Sequence, residues 1–322
     1  MSDSLLYLSR DDVRALAISP DEAREAVLQG FRNHAAGLNR SIPKTALMLG
    51  AGHGFQAMTA ASSAQQIATV KWVAMAPVAA GSSLPAVSAL ICVNDYATGM
   101  PCAILDGDEI TLIRTAAITA AAASRLAPPQ PRTIGFVGCG LQAHAHLAAF
   151  RALYPGLTTA LAMSRSRASA ERLVEAARTA GLTTRVLDDA DTLLAESDIV
   201  ISMVPGGPGM TPFLDARRLK TVAFAAAVDT GRSWLPETLP VFDVLATDSL
   251  EQSHAPYDAA GNPVTTVTFG HDMTELAVTP HPTAPTSRSF FCFRGVALAD
   301  LALAHLVVEK ARANGRGTTL PR

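Results

Sequence analysis

Thr133-Ile134-Gly135-Phe136-Val137-Gly138-Cys139-Gly140-Leu141-Gln142-Ala143-His144-Ala145-His146 decides the fold. Thr133 to Val137 is short and apolar and predicts a strand; the residues after the glycines carry helical periodicity. Between them, Gly138, Gly140 and Ala143 fit the G-x-G-x-x-A form of a dinucleotide-binding turn. Gly138 permits the tight turn, Gly140 lets the backbone approach a pyrophosphate, and Ala143 allows close helix–strand packing. The helix N-terminus receives the negative charge. A merely tight turn is the plain alternative.

Downstream, apolar segments alternate with helical ones. The expected helices are Ala143 to Ala152, Ala168 to Thr179 and Thr192 to Glu196, and the expected strands are Thr159 to Met163, Thr184 to Val186, Ile199 to Val204 and Val222 to Ala226. This predicts an α/β fold with a Rossmann-type, doubly wound parallel sheet. Beyond the last strand, Ser253 to Ser289 is rich in Pro, Thr and His and reads as irregular. A final helix is expected from Gly295 to Ala313, packed back on the first domain. Upstream, Asp21 to Ala36 reads as an amphipathic helix. Ile67 to Met75 and Pro85 to Asn94 read as strands, with a hairpin around Asp95 to Gly99. A small-residue helix from Thr111 ends at Pro128-Pro129 and bridges the two parts.

The chain has 322 residues, 49% of them hydrophobic, enough for two domains with a buried core. Lys plus Arg number 26 against 28 acidic residues, which supplies no basic field for nucleic acid. Charges at Asp3, Arg10, Asp11, Asp12 and Arg14 break any leader-like apolar run, and no stretch reads as a membrane span. A cytoplasmic protein with a small-molecule ligand is expected. Cys92, Cys102, Cys139 and Cys292 lack paired spacing and are expected to be reduced and buried. No two of the eight histidines have metal-ligand spacing, so no metal is expected, and His144 and His146 are expected on a helix surface.

After the second strand, where a carboxylate would bind the ribose of NAD, the chain reads Met163-Ser164-Arg165-Ser166-Arg167. Arg165, flanked by Ser164 and Ser166, suits a 2′-phosphate and favours NADP(H) over NAD(H). Solvated arginines at a helix start are the alternative. Further candidate cofactor contacts are Arg114, Thr115, Leu141, Gln142, Ser202, Met203 and Val204. Four charges stand in apolar surroundings: Lys44, Lys71, Arg114 and Asp229. Lys71 and Arg114 suit a substrate carboxylate, or else a structural ion pair, and Asp229 ends a strand where these folds place reacting groups.

Together these blocks resemble the ornithine cyclodeaminase and mu-crystallin family. They are Val70-Lys71-Trp72-Val73 with Pro77, Thr98-Gly99-Met100-Pro101, Leu105-Asp106-Gly107, Ile110 to Ala117, the glycine turn, the strand leading to Asp229, and Gly295 to Asp300. The resemblance implies a homodimer. Residues 1–115 and 293–322 would form an α+β substrate and dimerisation domain around a dinucleotide domain at 116–292. It implies that Lys44, Lys71 and Arg114, with Arg40 as a displaced candidate, hold a substrate carboxylate. Lys71 would also donate to the imine or carbonyl, and Asp229 would exchange a proton with the substrate nitrogen. The implied activity is NAD(P)-dependent reduction of a 2-imino acid, or the reverse amino-acid dehydrogenation. Alternatives within the resemblance are a cyclodeaminase with retained NAD and a non-catalytic small-molecule binder. Where cyclodeaminases carry a glutamate that assists the water step, this chain has Gln56, and a neutral amide is no general base.

Overall fold

The structure, a computed structural model, describes residues 4–50, 52–78, 82, 84–206, 210–253, 267–279 and 287–321. The chain opens with β1 (Ser4–Leu8), α1 (Arg10–Ala15) and α2 (Pro20–Ala35). Then come β2 (Asn39–Ser41), β3 (Thr45–Gly50), β4 (His53–Ser62), β5 (Ile67–Met75), β6 (Val87–Asp95), β7 (Pro101–Asp106) and α3 (Gly107–Leu126). It continues through β8 (Thr133–Val137), α4 (Leu141–Leu153), β9 (Thr159–Met163), α5 (Arg167–Thr179), β10 (Thr183–Val186), α6 (Ala190–Glu196), β11 (Ile199–Ser202) and β12 (Ala223–Ala227). It closes with β13 (Val244–Thr247), β14 (His271–Asp272), α7 (Met273–Val278), β15 (Arg288–Cys292), α8 (Ala297–Ala313) and β16 (Thr318–Pro321). Two compact units result, Met1–Arg114 with Val296–Arg322, and Thr115–Gly295.

In the first unit the sheet runs β16-β1-β7-β6-β5-β4-β2, with β3 also paired to β4. β1 pairs β7 in parallel and the other pairings are antiparallel. The hairpin expected at Asp95 to Gly99 joins β6 to β7, with the Asp95 carboxylate accepting from the Thr98 amide and hydroxyl. The side-chain period of two divides this sheet into unlike faces. One carries Met58, Ala60, Lys71 and Ile91, all buried, and α8 packs Ala297 and Leu301 against Met58 and Ala60. α8 is apolar around most of its circumference and buried along most of its length, as a helix through the middle of a unit must be. α2 lies against it where Gly30 leaves room: an added Cβ would come within 3.1 Å of Ala302 Cβ.

The other face bears Phe55, Trp72 and Leu90 on neighbouring strands, with Leu47 opposite Phe55. Phe55 and Trp72 stack at 5.6 Å between ring centres. Trp72, Leu47 and Leu90 are each at least half exposed.

The second unit is an eight-stranded sheet ordered β10-β9-β8-β11-β12-β15-β13-β14, and every pairing in it is parallel. This is the doubly wound sheet expected from the alternation of segments. Three strands escape the sequence reading. β13 is four residues long, β14 two, and β15 begins at Arg288 inside the stretch read as irregular. That stretch also contains α7, capped by Asp272, whose carboxylate accepts from the Thr274 and Glu275 amides. Short segments carry too little periodicity to register, and tertiary packing of Phe290 with Trp234 and Phe242, at 5.7 and 4.9 Å, stabilises them instead. His254 and His281 lie outside the described residues.

Two further expectations need correction. His146 is wholly buried, not a surface residue. Its Nδ1 lies 2.7 Å from the Gln142 carbonyl and must donate to it, so neutral Nε2 accepts from the Thr119 hydroxyl at 3.0 Å. Burial pulls its pKa down to about 4, which keeps it neutral. Cys92 and Cys102 are only half-buried, whereas Cys139 and Cys292 are buried, and all four are free thiols. Among the described residues no helix is long and apolar enough to cross a membrane, and no cluster of three potential metal ligands occurs.

Candidate active site

In the second unit the site follows from the ends of four adjacent parallel strands. Register aligns Met163 with Val137, Val137 with Ser202, and Ser202 with Ala227. Strand order reverses about β8, so the crevice beyond the carboxyl ends of β8 and β11 is where such sheets bind ligands. The glycine turn leaves β8 there. Gly138 has φ +88°, and an added Cβ would sit 2.8 Å from the Met203 carbonyl oxygen. Glycine is therefore required by both backbone conformation and space. Gly140 faces open space, with nothing within 4 Å of an added Cβ. It caps α4 without a side-chain hydrogen bond, so the first amides of that helix face outward. Ala143 is fully buried and lets α4 pack closely, whereas Leu141 is 77% exposed. Gln142 Oε1 is buried and has no hydrogen-bond partner. An open cradle, uncapped amides and an orphaned acceptor fit a dinucleotide pyrophosphate and its ribose hydroxyls.

At the end of β9 the side chains of Ser164 and Arg165 make no hydrogen bond or ion pair among the described residues, and Arg165 is exposed. Ser166 is otherwise engaged, capping α5 by accepting from the Ser169 amide at 3.3 Å. Arg167 pairs with Glu171 and Asp188. Of the candidates in this segment, only Ser164 and Arg165 are left to meet a phosphate. At the end of β11 the Ser202 hydroxyl is likewise committed, because it donates to Asp229 and accepts from Trp234 Nε1 at 2.9 Å.

Asp229 stands two residues beyond β12 and is 6% exposed. Oδ1 accepts from the Ser202 hydroxyl and the Gly231 amide, both at 3.2 Å. Oδ2 accepts from the Ser233 hydroxyl at 2.6 Å and the Val204 amide at 3.3 Å. Burial raises its pKa, and these four donors oppose the rise without cancelling it. The next residue, Thr230, has φ +63°, a strained conformation for a branched side chain that turns the chain back toward Ser233. Val204 thus serves Asp229 through its amide, and Met203 walls the glycine turn.

The first unit holds the second cluster. Lys71 is 1% exposed, and its ammonium donates to Asp300 Oδ1 at 2.8 Å and to the Thr111 hydroxyl at 3.3 Å. Arg114 Nε donates to the same oxygen at 3.1 Å. Burial draws Lys71 down to about 8, helped by the Arg114 and Lys44 charges and opposed by Asp300. Lys44 therefore belongs to this electrostatic cluster. Arg40 does not: it pairs with Ala61, three residues from the Met58 that faces Lys71, and so projects from the opposite sheet face. Gln56 shares the Lys71 face, two residues before Met58. Asp300 was missing from the candidate residues, although an aspartate inside Val296-Ala297-Leu298-Ala299-Asp300-Leu301 is the kind of isolated charge that singled out Lys71.

With fold and site in place, comparison with known proteins is decisive about kinship. Residues 5–233 match the ornithine cyclodeaminase/mu-crystallin family, and the chain belongs to it. It is 38% identical over 149 residues to an alanine dehydrogenase of Archaeoglobus fulgidus, a match spanning 46% of this chain and 45% of that one. The ketimine reductase mu-crystallin of Rattus norvegicus is 26% identical over 94% of this chain and 96% of its own. Among solved structures, an archaeal alanine dehydrogenase dimer with bound NAD superposes with a TM-score of 0.88 at 26% identity, covering 98% and 99% of the two chains.

Gly138→Ala is expected to destabilise the protein by about 1–3 kcal/mol and to weaken NADPH binding at least about tenfold. Thermal denaturation and titration of NADPH fluorescence check both; unchanged NADPH affinity would remove the turn from the cofactor site.

Proposed function

We propose that this protein is an NAD(P)-dependent oxidoreductase that reduces a 2-imino acid to an amino acid, or runs the reverse dehydrogenation. The observation that carries the reading is Asp229, a buried carboxylate at the carboxyl edge of a dinucleotide-type sheet with its pKa raised. Kinship with a ketimine reductase and with an alanine dehydrogenase supports it.

Lys44, Lys71 and Arg114 suit a substrate carboxylate, and Lys71 is also suited to donate to the imine. The nicotinamide, when bound, supplies or removes a hydride at the α-carbon. Asp229 exchanges a proton with the substrate nitrogen. Two of its four donors are hydroxyls, which can rotate to accept when the carboxyl is protonated, while the Val204 and Gly231 amides hold it in place. Gln56 argues for reduction over cyclodeamination, because the amide stands where the water-assisting glutamate is expected.

Arg165, exposed and without an ion pair among the described residues, favours NADP(H) over NAD(H). The stripe of Leu47, Phe55, Trp72 and Leu90 is proposed to meet a second copy of this chain, in keeping with the dimer formed by the archaeal relative.

The direct test is oxidation of NADPH with pyrroline-2-carboxylate or with pyruvate and an amine. Turnover is expected, and Asp229→Asn is expected to lower kcat by about 10²- to 10⁴-fold while NADPH still binds. Ammonia release from ornithine or lysine without net nicotinamide change would establish the cyclodeaminase instead. Arg165→Ala should raise the KM for NADPH about ten- to hundredfold and leave that for NADH unchanged; equal effects on both would end the NADP assignment. Trp72→Glu should shift sedimentation from dimer to monomer, and a persistent dimer would place the interface elsewhere.

A further inference from the structure

Two cations meet on a single carboxylate oxygen in the first unit, and the chemistry of the substrate does not by itself require that arrangement. Lys71 comes from β5, Arg114 from α3 and Asp300 from α8. The Lys71 ammonium and Arg114 Nε both donate to Asp300 Oδ1, while Oδ2 is buried and has no hydrogen-bond partner. A lysine side chain has four rotatable bonds and a single-point charge, so without an anchor its ammonium would not be fixed. Here the anchor arrives from a residue 229 positions later in the chain. The buried carboxylate is costly by itself and is stabilised by having two cationic donors.

We propose that Asp300 is a positioning residue that fixes the Lys71 ammonium and the Arg114 guanidinium as one preset clamp for the substrate carboxylate. The proposal rests on the reading of Lys71 and Arg114 as substrate-binding groups. Asp300 does not itself touch substrate. It acts on Lys71 in two ways, by holding Nζ through a hydrogen bond and by supplying the negative charge that keeps the amine protonated. The groups bearing on that amine are Arg114 and Thr111 from α3, Lys44 from the segment before β3, and Asp300 from α8. Arg114 and Lys44 push its pKa down, and Asp300 holds it up. Loss of the Asp300 charge therefore moves the Lys71 titration to lower pH, so the amine is neutral over a wider range and the clamp loses half its charge.

The chain has four lysines, Lys44, Lys71, Lys220 and Lys310, which permits a direct measurement. In protein labelled with 13C at lysine Cε, the Lys71 resonance is assigned by its absence from Lys71→Arg, and its titration is followed by NMR in the NADPH-loaded enzyme. Wild type should titrate near 8, and Asp300→Asn should titrate lower by about one unit or more. The alkaline limb of kcat/KM for the imino acid should move with it. A folded Asp300→Asn protein with an unchanged Lys71 midpoint would overturn the proposal. Should that variant fail to fold, Asp300→Glu keeps the charge and displaces it by one methylene. Its Lys71 midpoint should stay near that of wild type while kcat/KM falls at least about tenfold, and wild-type kcat/KM in this variant would overturn the positioning role. If the Lys71 titration responds to Asp300 and no imino acid is turned over by wild type, the proposed reaction fails and the positioning stands.

Discussion

Burial of ionised groups is the constraint around which both units are organised. Isolated charges are expelled from protein interiors unless partners come with them. The first unit satisfies this with the shared oxygen of Asp300, which draws β5, α3 and α8 to one point. α8 could not be apolar on nearly every side and still carry Asp300 without that pair of cations. The second unit satisfies it differently. Asp229 has no cation among its hydrogen-bond donors, and four neutral donors from two segments surround it instead. The cations of the first cluster thus share an anionic partner, whereas in the second burial raises the pKa of the carboxyl.

That contrast explains the packing around Asp229. Ser202 ends β11, and its hydroxyl sits between the carboxylate and Trp234 Nε1. Trp234 is wholly buried against Phe242 and Phe290, so the Asp229 carboxylate is tied through one hydroxyl to the aromatic core of the sheet. Such a chain limits how far the carboxylate can move, which preserves its orientation at the cost of freedom. The strained Thr230 belongs to the same device, since it brings the Gly231 amide and the Ser233 hydroxyl back onto Asp229.

The parallel sheet and the glycine turn were legible because their signals are local. Five-residue apolar strands with intervening periodic helices and a glycine forced by positive φ can be read within a short window. Lys71, Arg114 and Asp229 were legible as charges in apolar runs, a violation of ordinary patterning that marks sites. Asp300 followed the same rule and was overlooked because the helix around it reads as plain core. His146 was misread since burial of a helix face depends on what packs on it, here Thr119 on α3. Arg40 was misassigned because a one-residue difference in strand register reverses the face of the sheet, and register is set by pairing with β4, which the sequence does not display. β15 packs Phe290 on Trp234, which is distant from it in sequence.

The charge count in the first unit also bears on which ligands it can accept. Lys44, Lys71 and Arg114 all bring positive charge to the neighbourhood of Asp300, Lys71 and Arg114 from buried positions. At an effective dielectric near 20, a charge pair at 4 Å is worth about 4 kcal/mol, so cations gathered in this way favour an anionic neighbour. A ligand without an anionic group gains nothing from them. Under the proposed reading of Lys71 and Arg114 as substrate-binding groups, preference for α-carboxylated substrates would come from the cations of the clamp itself, whatever side chain the substrate carries.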